Sequence, residues 1–330
     1  MDQEAAKAHE QLENFDRILN LVFPLVLIPF GSISNIITVF IYQQKPFKNT
    51  SIRFYYSILA ITDTLALVIG SVKFFLMATN LIGILTFSSL GCKFFITSVY
   101  ILSEYSAWVL VITSIDRLIS ILNYPSFIFL KTKKFRYSSS LILFFVIFLF
   151  NYPSFIYLQI TIEQVNINNR TKEIYYTCEL DSESYYTNEL RDFIDLLMFA
   201  LLPFLFMIIA NGLISYKIIK SKNKFRRKAS LAQPKKRKKE YQLAITIIGM
   251  NFLFLILNLP ICVIQIMRNL GETDYSLDVN YNIAYTIANI LTYINFSSSL
   301  YINLLFNHIF KSRFKHIIFS FFLNNQESSS

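Results

Sequence analysis

The chain has 330 residues, 54% of them hydrophobic, only 16% charged, and 33 of them Phe. Soluble domains carry roughly a quarter charged residues, so this composition excludes an ordinary water-soluble enzyme or binding module and points to a membrane protein. The net charge of +10 is local in origin: Lys217–Lys239 alone holds twelve Lys or Arg and no acid.

Residues 1–17 are polar and mostly acidic, lack a secretory leader pattern, and are expected to form an extracellular N-terminus. Seven apolar blocks follow, each long enough for the ~20 residues that a bilayer helix needs. They predict helices over about 18–42, 54–78, 93–122, 138–160, 193–219, 241–267 and 281–306. Residues 18–306 are thus expected to form an all-α, seven-helix transmembrane bundle. Pro24, Pro29, Pro153, Pro203 and Pro260 fall inside the blocks, where neighbouring helices can re-satisfy the carbonyls that proline frees. No internal repeat is visible, which counts against a repeat-built transporter. In residues 307–330, Phe310, Phe314, Ile317 and Ile318 recur at helical spacing with cations between them. That pattern predicts an amphipathic helix on the inner leaflet, followed by a short cytoplasmic tail.

Charge orients the bundle. Lys45, Lys48 and Arg53 follow the first block, and Lys131, Lys133, Lys134 and Arg136 follow the third. Glu163, Glu173, Glu183 and Glu189 occupy the loop after the fourth, and Glu272, Asp274 and Asp278 the loop after the sixth. Positive charge stays in the cytoplasm, which places the amino terminus outside and the carboxyl terminus inside; the plasma membrane is the expected location. The run Pro234–Lys239 also reads as a nuclear import signal or nucleic-acid patch, but a cytoplasmic loop between two spans accounts for it. On the outer side, Asn169-Arg170-Thr171 is a glycosylation acceptor. Cys92 and Cys178 share that oxidising side and are expected to bridge, tying the third helix to the following loop; Cys262 lies inside the sixth block. Ser230, after a basic run, is a candidate kinase site.

Polar groups inside apolar blocks need partners, since an ionisable residue in hydrocarbon costs at least ~2.5 kcal/mol otherwise. Asn35, Asp63, Ser106 and Asn295 are expected to share one water-filled or sodium-binding cluster; separate local hydrogen bonds are the alternative. Ser106 precedes Arg117 by eleven residues, three turns plus about 20°, so both face the bundle. Cys92 and Arg117 stand twenty-five residues apart, about 37 Å along a helix, close to a bilayer with its headgroups. At the inner end, Arg117 of the Asp116-Arg117 pair could bond Glu240 at the head of the sixth block; a solvated pair worth ~0–1 kcal/mol is the alternative. Glu104 points about 140° from Arg117, toward a neighbouring helix and a structural hydrogen bond, and Trp108 points away, toward packing or lipid. His9, His308 and His316 have no metal-ligand spacing, and no nucleophile–base pair or Gly-rich phosphate loop is present. No enzymatic chemistry is expected.

These motifs, in order, resemble the rhodopsin-like (class A) G-protein-coupled receptors over about residues 18–322. Gly31–Val39 resembles the helix-one asparagine motif around Asn35, and Leu59–Asp63 the helix-two aspartate motif. Asp116-Arg117-Leu118 resembles Asp-Arg-Tyr with the Tyr replaced. Pro203, and Phe254 with Pro260, fit helices five and six, Phe254, Asn258 and Pro260 forming the helix-six hinge. Leu257-Asn258-Leu259-Pro260 and Asn211 resemble FMRFamide-type invertebrate neuropeptide receptors. The helix-seven Asn-Pro-x-x-Tyr motif is missing; Ser299–Asn303 takes its place.

The resemblance implies a receptor in which an extracellular ligand promotes movement of helix six from Arg117 and admits a heterotrimeric G protein. Amine receptors of this family carry an Asp where this chain has Val99, and opsins a Lys in helix seven, where 281–306 has none. Acidic outer loops favour a cationic ligand, so an amidated neuropeptide is expected, with Glu183, Glu189, Asp192 or Asp195 as partners and Lys73 and Val99 also facing the ligand. A chemosensory receptor for a small molecule and a seven-helix transporter or channel stay open.

Overall fold

The computed structural model describes residues 2–48, 50–79, 81, 88–122, 132–167, 171–180, 188–227, 235–270 and 279–327. The described helices are α1 (Asp2–Tyr42), α2 (Ser51–Ala78), α3 (Ser89–Leu122), α4 (Lys133–Tyr157), α5 (Asn188–Asp195), α6 (Leu202–Arg227), α7 (Lys235–Leu270), α8 (Val279–Ser297), α9 (Ser299–Phe306) and α10 (His308–Glu327). An antiparallel hairpin of β1 (Leu158–Ile167) and β2 (Thr171–Leu180) stands between α4 and α5.

Among the described residues, six helical stretches are long and apolar enough to cross a membrane: Lys7–Tyr42, Ser51–Ala78, Ser89–Leu122, Lys133–Tyr157, Leu190–Ser221 and Lys239–Met267. The fifth joins α5 to α6 through the π-turn Leu196–Leu201, just before Pro203. The seventh expected span is divided at Ser298 into α8 and α9. There the Ser298 amide donates to the Asn295 carbonyl at 3.0 Å and its hydroxyl donates to the same oxygen at 2.7 Å. Such local bonding competes with the helical ladder.

The bundle is apolar outside and polar within, the reverse of a protein in water. Leu149 and Leu305 are 67% and 69% exposed, whereas Asn35, Asp63 and Arg117 are buried. Only a hydrocarbon solvent makes that arrangement favourable. Helix α3 is the axis, packing against α2, α4, α6 and α7, while α8 packs against α1 and α7 to close the ring.

Several ends differ from those expected. Helix α4 stops at Tyr157 rather than Ile160, and Ile160 instead pairs with Cys178 in the hairpin. Ile160, Thr161 and Ile162 are β-branched and favour extended backbone. Helix α3 starts at Ser89, ahead of residue 93, because the Ser88 hydroxyl accepts from the Gly91 amide at 3.0 Å. Helix α1 continues back through the polar segment to Asp2, and Arg17 donates to the Ala78 carbonyl at the end of α2 (2.9 Å). The expected eighth helix is α10; the Asn307 side chain caps it by accepting from the Phe310 amide at 3.1 Å.

Candidate functional site

At the basic end of the bundle, Arg117 is 2% exposed yet fully partnered. Its Nη1 donates to Glu240 Oε2 at 2.7 Å, joining α3 to α7. Its Nε and Nη2 donate to the adjacent Asp116 carboxylate, and Nη2 also donates to the Ser51 hydroxyl at 2.6 Å. Ser51 in turn donates to Asp116 at 2.7 Å, so α2 is bound into the same cluster. The expected pair of Arg117 and Glu240 is thus brought together, and Ser51 is an added member. Glu240 is a quarter exposed, so the bond is neither a deep ion pair nor a freely solvated one.

A second polar contact ties α3 and α7 again, this time with α6. Asn251 of α7 donates to Ser114 of α3 at 2.7 Å and to Asn211 of α6 at 2.9 Å. Tyr42 of α1 donates to Asn303 of α9 at 2.5 Å, its ring 4.6 Å from Tyr56 and 5.4 Å from Phe310. Tyr56 and Asn303 were not apparent from spacing, because their partners lie on other helices.

In mid-bundle, Ser106 donates to the Asp63 carboxylate, as expected. Asn35 Nδ2 donates instead to the Phe296 carbonyl at 3.0 Å, and its buried Oδ1 has no hydrogen-bond partner. Asn295 is buried next to Phe296. Among the described hydrogen bonds, Asp63 and Ser106 are the two of the four residues that bond each other directly. The oxygens of Asp63, Ser106 and Asn35 are hard donors of the kind sodium takes.

Above this layer, Phe254 is fully buried against Phe199 and Phe204, with ring centroids 5.8 and 5.6 Å away. Asn258 Nδ2 donates to the Phe254 carbonyl at 2.8 Å, one turn before Pro260. A side-chain amide and a missing proline amide therefore weaken adjacent turns of α7, which makes this a bending point.

Toward the disulfide end lies a cavity of about 120 Å³, with Phe74, Tyr100, Phe199, Tyr285 and Tyr293 in its wall. Of the expected ligand residues, Lys73, Val99 and Asp195 line it. Asp195 accepts from Gln265 at 2.8 Å. Asp192 does not line the cavity; its carboxylate lies 3.2 Å from Arg191, whose guanidinium stacks 4.1 Å over Tyr100. Cys92 and Cys178 form the expected disulfide, Cα–Cα 5.9 Å, which pins the hairpin to the start of α3.

Glu104 accepts from Asn151 of α4 at 2.9 Å, the structural bond its direction suggested. Trp108 packs 5.7 Å from Phe206 and donates through Nε1 to the Met198 carbonyl (2.8 Å), supplying a partner in the π-turn. Asn169, Glu183 and Ser230 lie outside the described residues, and so does the side chain of Glu189.

Residues 34–297 match the family described as 7 transmembrane receptor (rhodopsin family). No curated protein matches the chain.

Proposed function

The chain belongs to the rhodopsin family of seven-transmembrane receptors, and from that premise we propose that it couples an amidated, cationic peptide outside the cell to release of Arg117 inside it. Membership makes the protein a multi-pass membrane receptor that answers an extracellular ligand through a G protein, and not an enzyme. The disulfide end faces outward in this reading and the Arg117 end faces the cytoplasm, following the distribution of basic loops.

The observation that carries the reading is the single bond from Arg117 to Glu240. It is the charge-assisted link between α3 and the head of α7, and α7 bends at Asn258 and Pro260 farther along. Opening it frees the inner half of α7 and uncovers a cleft for a G-protein helix. Asp63, Ser106 and Asn35 would hold a sodium ion through their oxygens, and its charge would stabilise the closed bundle around the Asp63 carboxylate.

The cavity supports the choice of ligand. At about 120 Å³ it suits one aromatic side chain with its terminal amide rather than a whole peptide. The Asp195 carboxylate sits in its wall to receive an adjoining cation. The acidic face steers such a peptide inward. Screening amidated peptides on cells carrying promiscuous G proteins tests this directly. A peptide agonist whose potency falls at least tenfold with Asp195→Asn is the expected result; activation only by uncharged small molecules would overturn it.

A further inference from the structure

Adjacent residues at the head of α7 reach different partners. Glu240 accepts from Arg117 of α3. Lys239, one residue earlier and about 100° round the helix, donates through Nζ to the Pro46 carbonyl at 2.9 Å. Pro46 lies in the turn that joins α1 to α2, so this bond crosses 193 positions of sequence and gives α7 an anchor besides α3. The same ammonium stands 5.9 Å from the centroid of the Phe47 ring. That is within the ~6 Å at which a cation is drawn to an aromatic face.

The turn that receives Lys239 is itself fixed. Phe47 is fully buried, its ring 4.8 Å from Tyr42 at the end of α1. Tyr42 in turn packs against Tyr56 of α2 and Phe310 of α10. The backbone is closed on itself: the Phe47 amide donates to the Gln44 carbonyl at 2.9 Å, and the Phe47 carbonyl accepts from the Thr50 amide at 2.8 Å and the Thr50 hydroxyl at 2.7 Å. A bond to Pro46 therefore ties α7 to a packed corner of α1, α2 and α10, not to a loose loop.

Net charge does not draw these segments together. Lys45 and Lys48 flank Pro46 and Phe47, and Lys239 ends a run of five cations that begins at Lys235, so the two segments repel. Neither contact of the Lys239 ammonium with the turn involves a carboxylate. The attraction comes from a carbonyl oxygen and a ring face, which act only at short range and in one geometry. Outward movement of the α7 head breaks both contacts together with the bond from Arg117 to Glu240.

We propose that Lys239 is a positioning residue: it straps the head of α7 to the α1–α2 turn and keeps the cytoplasmic mouth closed independently of Glu240. The strap rests on the reading of α7 as the helix that moves, but not on the peptide ligand. The test uses purified full-length receptor without a G protein, with spin labels on Lys48→Cys and Ile245→Cys reporting the distance across the mouth. Lys239→Met keeps the stem and removes the donors; it is expected to raise the open fraction about threefold, the worth of one exposed hydrogen bond. Lys239→Arg, which can still donate, is expected to restore the parent distribution. In a Glu240→Ala background Lys239→Met is expected to widen the distribution again, because the two bonds reach different partners. A distribution unchanged by Lys239→Met would overturn the strap, as would one that Lys239→Arg alters just as much. Glu240→Ala read alone separates the two ideas. If it opens the mouth and Lys239→Met does not, α7 still moves and the strap is wrong; if neither variant opens it, the reading of α7 falls as well.

Discussion

Single side chains decide how α3 sits among its neighbours. Trp108 looks like a packing residue, yet its Nε1 satisfies the Met198 carbonyl at 2.8 Å in a turn already loosened by the π geometry. Trp108→Phe keeps the ring beside Phe206 and orphans that carbonyl. The expected cost is about 1–3 kcal/mol, read as a lower melting temperature of purified receptor in detergent; an unchanged melting temperature would show that ring packing alone matters. Asp63 and Arg117 were legible in the sequence because charge in an apolar block is costly unless satisfied. Ser51 was not, since a Ser at the head of a helix reads as a cap, whereas here its hydroxyl bonds Arg117 and Asp116. For Asn35, spacing indicated a buried position, and its side-chain amide there bonds a backbone carbonyl of α8. Spacing gives the facing direction of a side chain and does not choose between a carboxylate and a nearby carbonyl.

The spans were readable because hydropathy is summed over some twenty residues, and local exceptions average out. Their ends and interruptions were not. The break at Ser298 depends on one hydroxyl reaching Asn295, and the hairpin depends on β-branched residues next to a bridged cysteine. That bridge supports a further expectation. Cys92→Ser should lower stability by about 2–5 kcal/mol and release the hairpin, seen as a lower melting temperature and reduced surface expression. Equal stability would mean that the hairpin docks without its covalent tie. Close approach of α2 and α8 gives another. A Cβ at Gly70 would lie 2.5 Å from the Tyr293 hydroxyl and 2.8 Å from its Cε1. Tyr293 lines the cavity proposed for the ligand and stacks 5.7 Å from Phe23. Gly70→Ala should therefore displace that ring, cost about 1–3 kcal/mol by overpacking, and weaken an activating peptide severalfold. Unaltered potency would show that Tyr293 yields without disturbing the cavity.

At the scale of the whole receptor, the proposed function has ligand and G protein act on opposite ends of one bundle, with α7 connecting them. Its outer half carries Gln265 beside Asp195, its middle carries Asn258 and Pro260, and its inner end carries Glu240. A ligand that contacts Asp195 can move α7 only if contacts at the inner end are few enough to exchange. Beside the Lys239 bond to the Pro46 carbonyl at 2.9 Å and the Asn251 bonds to Ser114 and Asn211, the ion-paired contact there is the 2.7 Å bond from Arg117 to Glu240, with Glu240 a quarter exposed. Removing it should shift the closed–open balance by about 1–2 kcal/mol, which is roughly five- to thirtyfold in the population of the open state. Ligand-independent nucleotide exchange by Glu240→Ala, compared with the parent at equal surface expression, measures that shift without needing the natural ligand. Exchange raised at least severalfold is the expected result; unchanged or lower exchange would contradict a latch between Arg117 and Glu240.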